Sequence, residues 1–250
     1  FRLELVAAEP LVEDPVQIAF DPAGRLWAVE MRGYMPDVDG RGEEAPVGRV
    51  VVLEDTDGDG RMDKNTVFLD KLVLPRALAF AGDGLLLTDG NALLFCRDTT
   101  GDLKCDEKSV VTASYCSAKN VEHTANGLLR GMDNWYTSAN SPQRFRRQPD
   151  GRWIQGSTRS RGQWGIAQDD FGRLFTNSNS DYLRGDLVPC YAPQAHTGKD
   201  PAVGVQIVKD QSTFPVRVNP GVNRGYQKGT LKADGTLARC TAACGPHIYR

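Results

Sequence analysis

An acidic loop that recurs after 43 positions, short apolar runs between Gly- and Asp-bearing turns, and a lack of helical periodicity predict an all-β fold of the β-propeller class. The loop is Asp55-Thr56-Asp57-Gly58-Asp59-Gly60-Arg61-Met62-Asp63. A hard cation such as Ca²⁺ takes about six to eight oxygens, and alternate acids on a tightly curled loop converge on one point. Asp55, Asp57, Asp59 and Asp63 are therefore candidate metal ligands, with Gly60 at the sharp turn. An EF-hand is excluded, because the position that needs a bidentate Glu holds Thr66. The second copy is Asp98-Thr99-Thr100-Gly101-Asp102-Leu103-Lys104-Cys105-Asp106. It lacks one acid (Thr100) and the turn glycine (Leu103), which predicts a decayed loop without metal. A repeat of ~40–45 residues is the size of one four-stranded propeller blade.

Taken in order, Leu3-Glu4-Leu5-Val6 alternates like a strand. Val16-Gln17-Ile18-Ala19-Phe20, the turn Asp21-Pro22-Ala23-Gly24 and Arg25-Leu26-Trp27-Ala28-Val29-Glu30 read as the first hairpin. Residues 31–48, rich in Gly, Pro and acids, read as a long loop. Val50-Val51-Val52-Leu53 and Val67-Phe68 flank the acidic loop and complete one blade. Residues 75–89 repeat the opening hairpin, and Leu93-Leu94-Phe95-Cys96 with Val110-Val111 flank the second acidic loop. Strand–turn–strand patterns follow at 126–136, 164–175 and 231–237, and 181–212 reads as irregular. These make four to five blades of a single domain over residues 1–250. A propeller closes to cover its edge strands, so the expectation is part of a six-bladed ring that continues beyond residue 250. Phe1 in place of Met points to a processed or excised chain.

Composition excludes several classes. The chain is 40% apolar and 25% charged, which is globular rather than disordered. A net charge of −2 gives no electrostatic case for nucleic acid or an anionic membrane. No run is long enough for a transmembrane helix. Neither CxxC nor CxxCH occurs among Cys96, Cys105, Cys116, Cys190, Cys240 and Cys244. The even count favours disulfides and a periplasmic or extracellular location. Cys96 with Cys105 could staple the second loop, Cys240 with Cys244 close a small loop, and Cys116 with Cys190 remain by elimination. Connectivity is not readable from spacing, and free buried thiols are the alternative.

The segments Asp14-Pro15-Val16, Gly24-Arg25-Leu26-Trp27-Ala28-Val29-Glu30-Met31-Arg32-Gly33-Tyr34, Gly131-Met132-Asp133-Asn134-Trp135 and Ala242-Ala243-Cys244-Gly245-Pro246 resemble the N-terminal domain of membrane-bound dehydrogenase-like proteins of planctomycete and verrucomicrobial type. The likeness covers nearly the whole chain. That family is named by analogy with glucose and sorbosone dehydrogenases, six-bladed propellers that use pyrroloquinoline quinone and calcium. Glu122-His123-Thr124-Ala125-Asn126-Gly127-Leu128 is similar, with one extra residue, to the segment carrying their catalytic base. Arg161-Gly162-Gln163-Trp164-Gly165-Ile166-Ala167 is similar to the segment whose arginine contacts the quinone. The resemblance implies oxidation of a sugar or related alcohol, with electrons passed to a cytochrome c. His123 would take the hydroxyl proton and Arg161 would support charge on the quinone oxygen. Asn177, Asn179 and Arg224 are further candidates for cofactor or substrate contacts.

Plainer roles compete. His196 has no visible partner, and His247 reads as structural. Trp27, Trp135, Trp153 and Trp164 suit inter-blade packing, and Arg144-Phe145-Arg146-Arg147 a solvated strand face. Two other functions fit the same chain: a non-catalytic propeller that binds glycans or a protein, and a calcium-dependent lactonase, although the acids fall on hairpin loops rather than in a channel. No Gly-x-Ser-x-Gly or HExxH motif supports other hydrolase chemistry.

Overall fold

The computed structural model describes residues 2–197, 199–213 and 226–249. Among these, sixteen strands form four antiparallel sheets of four strands each, all in simple up-and-down order, the topology of propeller blades. The chain divides into two compact units, Phe1–Val121 and Glu122–Arg250, each with two sheets. In the first unit β1 (Pro15–Phe20), β2 (Leu26–Glu30), β3 (Gly48–Glu54) and β4 (Lys64–Leu72) form one sheet. The other comprises β5 (Leu78–Ala81), β6 (Gly84–Asp89), β7 (Ala92–Arg97) and β8 (Glu107–Thr112). In the second unit β9 (Asn126–Arg130), β10 (Tyr136–Ala139), β11 (Gln143–Arg147) and β12 (Trp153–Ser157) precede β13 (Ala167–Gln168), β14 (Leu174–Ser178), β15 (Asp181–Gly185) and β16 (Val205–Gln206). Helix among the described residues is limited to short 3₁₀ turns at Val121–His123 and Pro193–Ala195.

Strand periodicity explains the first unit's core. On β3, Val50 and Val52 face one way and Val51 and Leu53 the other, and all four are fully buried. Val50 and Val52 join Trp27, Phe68, Leu78, Leu85, Leu87 and Leu94 in a cluster that spans both sheets. Val51 and Leu53 pack with Leu26, Ala28 and Val12. Trp27 meets Phe68 and Phe80 edge-to-face at 4.9 and 5.5 Å, the packing role its position suggested.

One turn recurs. Asp21 Oδ1 accepts from the N–H of Ala23 and of Arg25, its Oδ2 accepts from Arg25 Nε and Trp27 Nε1, and Gly24 has φ +81°. Asp169 repeats this with Phe171 and Arg173, and Gly172 has φ +78°. The loop backbone thereby finds its partners in one buried or half-buried carboxylate, and Gly takes the left-handed position at no steric cost.

The structure departs from the sequence reading in several places. Leu3-Glu4-Leu5-Val6 is not a strand; the carbonyls of Leu5 and Val6 accept from Arg61 Nε and Met62 N, so its partner is the acidic loop rather than a sheet. The stretch 181–212 contains β15 and β16, which its three prolines and polar residues disguise. The 231–237 turn has one isolated bridge, Leu231 to Leu237, and no sheet.

All six cysteines are free thiols, so the three disulfides are not formed. Cys96 lies in hydrogen-bond reach of Cys105, and burial pushes its pKa far up. The Cys116 thiol donates to the Gly90 carbonyl and is pushed up to about 11 by burial. Cys190 accepts from Gln168, and Cys240 donates to Asn179 O. Cys96, Cys190 and Cys240 are buried and behave as small apolar groups with weak polar contacts.

Candidate functional site

Three segments of the second unit converge through their glycines. Gly127 has φ +58°, and a Cβ there would lie 2.8 Å from Gly165 Cα. Gly165 has φ +83°, and its Cβ would lie 2.8 Å from Gly245 Cα. The backbones therefore approach closer than any side chain allows. Asn126, fully buried, ties the first two of these segments: its Nδ2 donates to Thr124 O and Gln163 O, and its Oδ1 accepts from Gly165 N. Gly245 N donates to Trp164 O at 2.9 Å. These contacts hold His123 and Gln163 together, with Gln163 Nε2 3.3 Å from His123 Nδ1 on the exposed side of the convergence.

The other predicted residues are placed differently. Arg161 is 7% exposed. Its Nε donates to Asp186 Oδ2 at 2.9 Å, Nη1 to Thr158 Oγ1 and Arg159 O, and Nη2 to Ala195 O. Burial pulls Arg161 down and Asp186 up in pKa, which marks an ion pair held at a desolvation cost. Asn177 is also buried, and with its amide oriented to satisfy both neighbours it donates to Trp164 O and accepts from Cys244 N. Asn179 is half-buried and receives the Cys240 thiol on its carbonyl. Arg224 lies outside the described residues.

Two acidic loops in the first unit have the same backbone. Asp55 accepts from the N–H of Gly58 and Gly60, and Asp98 from those of Gly101 and Leu103. Asp63 accepts from Thr56 N, as Asp106 does from Thr99 N. Gly60 at φ +89° is matched by Leu103 at φ +63°, so the copy keeps the left-handed turn without its glycine. The backbone N–H of Gly60 holds Asp55 below the usual carboxylate range. Ligand oxygens of Asp55, Asp57 and Asp59 lie within 4.8 Å of one another, and so do those of Asp98, Asp102 and Asp106. Asp106 thus makes up the set that Thr100 left short. Both are sets of hard oxygens, a donor chemistry that fits Ca²⁺.

A polar network that the sequence did not reveal lies in the second unit. His196 Nε2 accepts from Arg144 Nη1 at 2.7 Å, leaving Nδ1 protonated toward Thr158 Oγ1 at 3.1 Å. Arg144 and Arg146 lie over the Trp135 ring, 4.3 and 4.9 Å from its centroid, so the basic run is no freely solvated face. Nothing in the local sequence signals this, because the partners stand 52 and 38 residues away from His196. Burial first and Arg144 second hold His196 below its usual pKa, Arg161 adds to them, and a Cys190 backbone hydrogen bond and the Asp133 charge oppose. The fold favours the neutral ring, so stability is full above about pH 6.5 and falls as pH drops toward the depressed folded pKa. His196→Gln is expected to flatten that part of the curve, read as urea midpoints between pH 7.5 and 5.5. Parallel wild-type and variant curves would remove the assignment.

A family described as a domain of unknown function, DUF7133, matches residues 1–250. No curated protein matches the chain. Among solved structures, a protein assigned as a gluconolactonase is similar at 19% identity and TM-score 0.44, covering 68% of this chain and 57% of its own. An inactive H270A virginiamycin B lyase from Staphylococcus aureus, solved with quinupristin, shows 13% identity and TM-score 0.43, with 81% and 62% covered. A carbohydrate-active enzyme of family AA12 from Trichoderma reesei shows 12% identity and TM-score 0.45, with 97% and 65% covered. The chain thus spans less than two thirds of the length of each.

Proposed function

We propose that this chain, which belongs to the DUF7133 family over its whole length, forms part of a quinoprotein-type oxidoreductase acting on a sugar or related alcohol. The carrying observation is the exposed His123, backed by Gln163 and held by the glycine contacts of three segments and the Asn126 clamp of two. Oxidising an alcohol requires a base for the hydroxyl proton, and an imidazole nitrogen suits that task. Pyrroloquinoline quinone, when bound, supplies the electron acceptor, and a cytochrome c is the proposed next carrier. Arg161 and Asn177 do not fit that cofactor as placed, because their polar atoms are taken up inside the fold. Their hydrogen bonds brace the second unit instead. A periplasmic or extracellular location accompanies the proposal, since Ca²⁺ is abundant there.

Calcium is proposed at Asp55, Asp57 and Asp59, with Asp63 bracing the loop through Thr56. Asp57→Ala and Asp59→Ala are expected to lower Tm by a few degrees in Ca²⁺-containing buffer only, since an ion bound to the native state stabilises it by mass action. Equal losses in EGTA would exclude the ion.

The internal engagement of Arg161 and Asn177 favours one alternative, a non-catalytic propeller that binds a glycan or a protein. Absorbance titration of the complete protein with the quinone, with and without Ca²⁺, separates the two. Saturable binding and sugar-dependent dye reduction that is lost in His123→Ala support the oxidoreductase. Absence of binding, with retention on a glycan array, supports the alternative.

A further inference from the structure

We propose that Gln163 is a positioning residue that selects which nitrogen of His123 is free to take a proton, a role that rests on reading His123 as the base. A neutral imidazole has one donor and one acceptor nitrogen, and a glutamine amide offers a donor end and an acceptor end. The end that faces Nδ1, 3.3 Å away, decides the tautomer. With the amide nitrogen toward it, Nδ1 accepts and the ring proton sits on Nε2. With the carbonyl toward it, Nδ1–H donates and the Nε2 lone pair is free on an exposed ring.

Two features of Gln163 suit this role. Its backbone is fixed, because its N–H donates to Asn177 O at 2.9 Å and its carbonyl accepts from Asn126 Nδ2 at 2.7 Å. Its amide makes no other hydrogen bond among the described residues, so a half turn of the terminal group is not opposed by a second partner. The residue is anchored where position matters and free where the choice is made. In the base form the substrate O–H bond breaks, its electron pair stays on oxygen, and the proton forms a new N–H bond at Nε2. The resulting imidazolium keeps its Nδ1–H on the Gln163 carbonyl, which stabilises the charged ring.

The test is ¹⁵N–¹H correlation of the imidazole groups in ¹⁵N-histidine-labelled complete protein, with His123 assigned by the His123→Gln variant. Gln163→Glu should raise the His123 pKa by about one unit, because a carboxylate favours the imidazolium. Gln163→Leu should change the ratio of tautomers, and Gln163→Asn keeps an amide should the apolar variant fail to fold. If the enzyme is active, Gln163→Leu should lower kcat about tenfold with KM unchanged, and Gln163→Glu should move the acidic limb of the rate profile upward. An unchanged His123 tautomer ratio and pKa in Gln163→Leu and Gln163→Glu would overturn the proposal. Because the spectra do not depend on turnover, altered spectra in a protein inactive on every sugar would leave the positioning contact in place and reject the base reading instead.

Discussion

Arg161→Ala should destabilise the second unit by about 3–5 kcal/mol, because it strands Asp186 without its cation in a water-poor site. The two side chains are 4% and 1% exposed, so solvent cannot take over the lost partner. The carbonyls of Arg159 and Ala195 also lose a donor. Urea unfolding followed by tryptophan fluorescence reads the loss, since Trp135, Trp153 and Trp164 report on this unit. A double variant, Arg161→Met with Asp186→Leu, should recover much of it, because it removes both buried charges rather than one. A single variant as stable as wild type would mean that Arg161 is released from Asp186 in solution, which would return it to the cofactor.

Gly165→Ala is the second large effect, on the order of 3 kcal/mol. A left-handed φ costs an L-residue about 1–2 kcal/mol. Here the added Cβ would also meet Gly245 Cα at 2.8 Å and Gly245 N at 3.1 Å, and a forced contact in a packed region costs about 1–3 kcal/mol more. Gly24 is the internal control: its φ is +81°, yet a Cβ there meets nothing within 4 Å. Gly24→Ala should therefore show only the conformational cost. Equal urea midpoints for the two variants would show that the three segments separate freely. The expected inequality would tie the His123–Gln163 geometry to backbone contact at Gly245.

The repeat was legible because each blade is a local object. Asp21 and Gly24, or Asp169 and Gly172, close a turn with atoms a few residues apart, and alternation along β3 follows from the pleat alone. The acidic loops were legible for the same reason; in the second, Leu103 takes the left-handed turn without glycine and Asp106 lies with Asp98 and Asp102. The site was legible only as a set of motif strings. His123 could be placed within its segment, but its neighbour Gln163 stands 40 residues away.

Local chemistry in the sequence thus determined the all-β blades, their turns and the acidic loops, since strand alternation and Asp–Gly turns act over fewer than about ten residues. Tertiary structure alone decided which polar side chains face solvent and which face each other. Arg161 and Asn177 carry the residue types a cofactor would need, yet Asp186, Thr158, Ala195, Trp164 and Cys244 take up their hydrogen bonds. His196 has no partner legible in the sequence, yet Arg144 and Thr158 hydrogen-bond its two ring nitrogens. Burial makes every unpaired polar atom costly, so the fold assigns partners by proximity in space, which spacing along the chain does not encode.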